Sequence, residues 1–67
     1  MKYIVLEIQS GNTISTIVND YDNINQAESK YHQILTAAAT SDVLKHSAMI
    51  IDDEGHLRKV ECYTHED

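Results

Sequence analysis

The segment from Asn23 to Ser41, NINQAESKYHQILTAAATS, is the one stretch of this chain with a clear helical period. Its apolar side chains recur every three or four residues, as in an amphipathic helix that buries one face: Ala27, Tyr31, Ile34, Leu35 and Ala38. Asn23 and Asn25 each offer a side-chain oxygen that can cap the helix N-terminus. Segments with β-type alternation lie on both sides, so we expect the helix to cover a sheet that they share.

The flanking segments are predicted to form two β-hairpins. Residues 2–9 and 13–19 alternate around Ser10-Gly11-Asn12, and residues 43–52 and 56–64 lie on either side of Asp53-Glu54-Gly55. The chain has two glycines and no proline, and one glycine falls in each predicted turn, which favours this arrangement. In the first hairpin, a three-residue loop with Asn12 in the left-handed conformation would pair Ile8 with Ile14. In the second, Asp52 would pair with His56.

The predicted fold is a single α+β domain over residues 1–67 with the element order ββαββ. We expect a four-stranded antiparallel sheet in the order 2-1-3-4, with one helix packed on one face. The side chains expected under the helix are Ile4, Leu6, Ile8, Ile14, Val18, Ala48, Ile50, Val60 and Cys62.

The opposite face of the sheet is predicted to bind a partner. Its apolar and aromatic members would be Tyr3, Val5, Ile17, Met49, Ile51, Leu57 and Tyr63, among Glu7, Lys59 and Glu61. A single helix cannot cover both faces of a sheet, and apolar patches above a few hundred Å² are rarely left bare. A chain this short also gains from self-association, so we expect a homo-oligomer.

Charge and cysteine content limit the function classes. With 11 acidic and five basic residues the net charge is −6, which argues against direct binding to nucleic acid. The single cysteine, Cys62, excludes an internal disulfide and fits a reducing cytoplasm. The start of the chain, MKYIVLEIQSGN, alternates and has no long apolar run, so we expect neither a signal peptide nor a membrane span.

Two pairs and one short run of residues with chemically active side chains are candidates for a metal or catalytic site, and none of them leads us to expect an enzyme, a metal or a cofactor. His46 and Cys62 would face each other across the second hairpin, but two zinc ligands do not make a site, and a small buried thiol is the better interpretation. Asp52-Asp53-Glu54-Gly55 lacks the alternating acidic positions of a calcium loop and is interpreted as a solvated turn. Glu28 and His32 are spaced as an acid–base pair on the helix, but a plain surface pair is the better interpretation.

Two sets of charged residues are further candidates for binding. The predicted topology brings five carboxylates to one end of the sheet, where they would meet a basic surface: Asp20, Asp22, Asp52, Asp53 and Glu54. An anionic ligand such as a nucleotide would instead need cations, and the supply is Lys45, Arg58 and Lys59 together with the tyrosines.

The run QAESKYHQIL, preceded by an LEIQ hairpin and followed by a DDEGHL turn, resembles small accessory proteins of phages and prophages of Gram-positive bacteria. The resemblance spans most of the chain and implies a phage accessory setting in the host cytoplasm. The resemblance by itself gives no function. Because small acidic phage proteins include many inhibitors of host defence, we expect a non-enzymatic protein that binds and neutralises a host defence component, either an immune protein or its nucleotide signal. The alternatives are a structural or assembly protein of the virion and a small hydrolase without a recognisable motif.

Overall fold

A computed structural model of the protein describes residues 2–65. The elements in chain order are β1 Tyr3–Ser10, β2 Ile14–Tyr21, α1 Ile24–Ala39, β3 Lys45–Asp52 and β4 Leu57–Thr64. The four strands form one antiparallel sheet in the order β2-β1-β3-β4, and α1 packs mainly on the two central strands, β1 and β3. The predicted α+β fold class and strand order are therefore confirmed.

The helix begins and ends where side chains satisfy its free backbone groups. Oδ1 of Asn23 accepts a hydrogen bond from the backbone N–H of Asn25 at 2.7 Å, so Asn23 is the N-cap. At the other end, the carbonyl of Ala38 lies 2.8 Å from Nε2 of His65, and Thr40 is the C-cap. The buried residues of α1 are the five predicted from the helical period: Ala27, Tyr31, Ile34, Leu35 and Ala38.

The helix packs on one face of β1 and β2, but this is not the face that the sequence predicted. Val5 is fully buried against α1, and Tyr3 packs at the edge of the same core. Side chains on the alternate positions of these strands point to the uncovered face. The prediction that the following residues lie under the helix is therefore wrong: Ile4, Leu6, Ile8, Ile14 and Val18.

The first hairpin has a different register from the predicted one. The residues predicted to share a face of the hairpin nevertheless do so. Ser10 pairs with Ile14 and Ile8 with Thr16, so the loop is Gly11 to Thr13 instead of Ser10 to Asn12. Among the described residues only Gly55 has a positive φ, so the left-handed Asn12 is also wrong. The grouping holds because a two-residue shift in register leaves side-chain parity unchanged.

A β-bulge decides the faces of β4. Ile51 pairs with Leu57 but Ile50 pairs with Lys59, which leaves Arg58 as the extra residue. After Arg58, each β4 side chain points to the face opposite to the one it would have in a strand without a bulge. The predicted placements on β4 consequently reverse: Val60 and Cys62 leave the helix side, and Lys59, Glu61 and Tyr63 join it. On β3, Ala48 and Ile50 lie in the core as predicted.

Candidate protein-binding face

The uncovered face of the sheet, here named the open face, is apolar across all four strands. Its aliphatic and methionine side chains are Ile4, Leu6, Ile8, Ile14, Val18, Met49, Ile51, Leu57 and Val60. On the edge strands the exposed fractions are high: 73% for Ile14, 58% for Val18, 57% for Leu57 and 50% for Val60. Scattered exposed aliphatics are ordinary, but a face in which they are contiguous marks a binding surface.

The open face contains little charge in an otherwise acidic protein. Of the charged residues that are paired in the four strands, only Asp20 and Lys45 lie on the open face. These two residues are at opposite ends of the sheet. The small or hydroxyl-bearing side chains of the face lie toward the end of the sheet that holds Lys45: Ser10, Thr16, Ser47, Cys62 and Thr64. The face is therefore uncharged and apolar in its centre, which is the composition of the buried core of a protein–protein interface.

The predicted partner-binding residues divide between the two faces. Met49, Ile51 and Leu57 lie on the open face. Tyr3, Val5, Ile17 and Tyr63 lie on the helix face, so their assignment to the uncovered surface is wrong. The residues that replace them are the aliphatics of β1 and β2 with Val60, which sequence reasoning had placed in the core.

A buried polar cluster on the helix face was missed by sequence reasoning. Nε2 of His46 lies 2.7 Å from Oε2 of Glu7, and Nε2 of Gln9 donates to the same oxygen at 3.1 Å. The side chains of His46 and Glu7 are only 4% and 13% exposed, and Nδ1 of His46 has no partner among the described residues. The contact joins β1 to β3 on the helix side of the sheet, so its evident role is to satisfy polar groups inside the fold.

His46 and Cys62 do not form a pair. His46 is opposite Tyr63 on the helix face, whereas Cys62 is opposite Ser47 and exposed on the open face. The prediction of a buried structural thiol is therefore wrong. Over residues 2–65, no three His, Cys, Asp or Glu side chains are grouped so as to hold a metal ion.

The acidic segments meet at one end of the sheet, as the topology predicted, but not as five exposed carboxylates. Nζ of Lys2 lies 3.6 Å from Asp20 and 3.7 Å from Asp22, and the backbone N–H of Asp53 donates to the carbonyl of Lys2 at 3.1 Å. Asp52 is the exception because its carboxylate is buried. The exposed part of this cluster, here named the acidic end, consists of Asp20, Asp22, Asp53 and Glu54.

The buried carboxylate of Asp52 organises the β3–β4 turn. Its Oδ1 accepts the backbone N–H groups of Glu54 and His56 at 3.0 and 2.9 Å, and its Oδ2 accepts Nε of Arg58 at 3.2 Å. The N–H of His56 is the main cause that holds the pKa of Asp52 below its ordinary value, and the Glu54 N–H and Arg58 add to it. An acidic residue three positions before a turn glycine is the sequence signal for this Asx-type arrangement.

The three predicted ligand-binding cations do not form one site. Arg58 binds Asp52, Lys59 contacts Glu28 of the helix, and Lys45 lies at the far end of β3 on the open face. The hydrogen bond from Lys59 lowers the pKa of Glu28, and the same bond raises the pKa of Lys59. Glu28 is therefore engaged by Lys59 instead of acting with His32, whose ring packs edge-on to Tyr31 with centroids 5.5 Å apart.

An open groove of about 690 Å³ runs between α1 and β4. The residues that line it include Tyr31, His32, Leu35, Lys59, Glu61 and Tyr63. Burial raises the pKa of Tyr31, and the nearby carboxylate of Glu61 adds to the shift, so this phenol is a neutral wall of the groove. With both signs of charge present and Lys59 already paired, the groove has no convergent set of groups for one ligand.

The helix of the described region is neither long enough nor apolar enough to cross a membrane. No protein-family model, curated protein or solved structure matches this chain.

Proposed function

We propose that the protein is a non-enzymatic, phage-type accessory protein that acts in the host cytoplasm by binding and neutralising a defence protein. The observation that supports this most strongly is the open face. A small domain that uses one face of its sheet for a core and exposes the other as contiguous aliphatic surface has its largest available binding energy in protein–protein contact. We therefore take the open face to be a protein interface on which this activity depends.

A protein target is favoured over a nucleotide signal. Binding a nucleotide phosphate requires cations that converge on one point. Arg58 and Lys59 are engaged with Asp52 and Glu28, and Lys45 lies at the other end of the sheet. The acidic end instead suits a basic protein surface, such as that of an immune effector that binds nucleic acid.

A phage plating assay tests the proposal. The protein is expressed in strains that each carry one defined defence system, and plating efficiency is measured. We expect the wild type to restore plating at least about tenfold against one system, and the double variant Val18→Lys/Val60→Lys to lose this effect because it places charge in an apolar interface. Both side chains are half exposed or more, so we expect the fold of a single chain to tolerate the change.

The matched control is Gln33→Lys, which adds the same type of charge on the exposed side of the helix. It should restore plating as the wild type does. Failure of the wild type against every system in the panel would contradict the proposed function, as would full activity of the double variant.

A structural or assembly protein of the virion is a second candidate. β2 and β4 are both edge strands, and together with the open face they offer contacts that can repeat along an assembly. Mass spectrometry of purified particles tests this candidate. A stoichiometric amount of the protein in washed virions would favour it over neutralisation of a defence protein.

A further inference from the structure

We infer that the open face is occupied by a second copy of this chain, so that the protein is a face-to-face dimer of two sheets with both helices outside. This inference rests on the proposed function in one respect, because it takes the open face to be a protein interface and names its occupant. Asp22, Asp53 and Glu54 of the acidic end, and the α1–β4 groove, remain free for the target.

The area of the open face fits a dimer. Each strand has eight residues, so with strands about 4.8 Å apart and a rise of about 3.3 Å per residue the sheet covers roughly 19 by 26 Å, or about 500 Å² in projection. Two copies together bury about 1,000 Å² even on this flat measure, which is the size at which specific interfaces begin. Side-chain relief on a pleated sheet increases the true area.

The charge distribution of the open face is compatible with a second copy of the chain, although the molecule as a whole is acidic. Two molecules that each carry a net charge of −6 repel, so they associate only through a surface from which the charge is excluded. The open face is such a surface, since Asp20 and Lys45 are the charged residues that the register of the described strands places on it, and both are at its ends. The other carboxylates of the described residues lie on the helix, on the helix face, in the turns or in the loops.

The chemistry of the face is also complementary to itself. Aliphatic side chains of two stacked sheets interdigitate at a spacing of about 10 Å, as in a β-sandwich. A two-fold axis in the plane between the sheets brings the same apolar patch onto itself and closes the assembly at two copies. Register places the small residues Thr16, Ser47 and Cys62 in one row across the sheet with Ile8, beside the apolar row of Val18, Leu6, Met49 and Val60. This row leaves room for the larger side chains of a facing copy.

Cys62 provides a native reporter of this interface. It is exposed in the single chain and lies within the open face, opposite Ser47 on β3. In the dimer, reaction of this thiol with a soluble aromatic disulfide should be slow and should become slower as protein concentration rises. In a monomer the rate should be that of an accessible thiol and independent of concentration.

The decisive experiment combines light scattering with thiol kinetics on the purified protein alone. We expect wild type and Gln33→Lys to have twice the 7.6 kDa chain mass at micromolar concentration, with protected Cys62. Val18→Lys/Val60→Lys should be a monomer with wild-type circular dichroism and reactive Cys62, which corresponds to a dissociation constant raised by at least about 100-fold.

Several results would overturn the dimer. A wild-type monomer with reactive Cys62 would do so. A wild-type dimer with reactive Cys62, or a double variant that still dimerises, would also do so, because the contact would then lie elsewhere on the protein. If the double variant does not fold, the concentration dependence of Cys62 in the wild type decides the question. A wild-type monomer that restores plating overturns the dimer and leaves the proposed function standing. A wild-type dimer that restores plating against no system overturns the proposed function and leaves the dimer standing.

Discussion

Nη2 of Arg58 lies 3.1 Å from Oδ2 of Asp52, a carboxylate whose side chain is 0% exposed. Arg58 is also the extra residue of the β4 bulge. The ion pair therefore lies at the point where the side chains of β4 change faces. Because the strand is shifted by one residue after Arg58, Val60 and Cys62 face away from the helix. The apolar open face therefore extends onto β4 through this local irregularity.

Asp52→Asn should remove part of the acid sensitivity of folding. The pKa of Asp52 is lower in the folded protein than in the unfolded chain, chiefly through the N–H of His56. Its carboxylate therefore contributes stability that is present above the ordinary pKa of an aspartate in the unfolded chain and is lost as pH falls through the lower pKa of the folded state. Denaturant unfolding at a series of pH values should show a less stable variant with a flatter acid limb.

The neighbouring Asp53→Asn is the control for that experiment, because it removes the same formal charge from an exposed side chain. Its acid limb should follow that of the wild type more closely than the Asp52 variant does. Identical acid limbs for the wild type and the Asp52 variant would show that the turn contacts do not contribute.

Glu7 and His46 should be strongly coupled in a double-mutant cycle. Glu7→Leu leaves the buried ring of His46 without its 2.7 Å partner, which should lower the free energy of unfolding by about 1–3 kcal/mol. Glu7→Leu combined with His46→Leu removes both polar groups and should recover much of that loss. Urea denaturation of the four proteins measures the coupling, and additive losses would contradict it.

The two glycines should respond differently to alanine. Gly55 has φ of 84° and lies in the β3–β4 turn, so Gly55→Ala places a Cβ in the left-handed region and should cost about 1–2 kcal/mol. Gly11 has no positive φ, and a Cβ added there would meet no atom within 4 Å, so Gly11→Ala should be neutral or slightly stabilising. Thermal unfolding compares them directly, and equal losses would contradict the assignment.

The acidic end should affect the rate of target binding. Asp22→Asn, Asp53→Asn and Glu54→Gln together remove three charges while leaving buried Asp52 in place. We expect association with the target to slow about tenfold at low ionic strength and to lose most of its salt dependence, because steering weakens with charge. Surface plasmon resonance at low and high salt measures this once plating assays identify the target.

Asp42→Asn is the control, since this exposed residue lies beside the Gly11–Thr13 loop at the other end of the sheet. It should leave the association rate nearly unchanged. If the triple variant binds like the wild type at every salt concentration, the acidic end is ordinary solvated surface.

The elements and their order could be predicted from the amino-acid sequence alone. The helical period of α1 identified all five buried helix residues, because a helix buried on one side repeats its apolar positions at a fixed spacing. The glycines marked the two hairpin turns, and hairpins on either side of a helix led to the order β2-β1-β3-β4. The sequence also indicated that one face of the sheet would lack a cover, since one helix covers one face.

Which face lacks that cover depends on tertiary contacts. Both faces of β1 carry apolar residues, so alternation alone favoured burial of Ile4, Leu6 and Ile8, whereas the helix packs over Val5. Burial of the face that carries Val5 is helped by the contact between Glu7 and His46, which pairs two polar side chains on the helix face. The small side chains of Ala27, Ala38 and Ala48 allow the helix and the sheet to pack closely. At the bulge, the Arg58 side chain reaches Asp52 across the turn, a contact that the strand pattern alone does not reveal. Contacts between strands set both choices, and periodicity within a strand does not contain them.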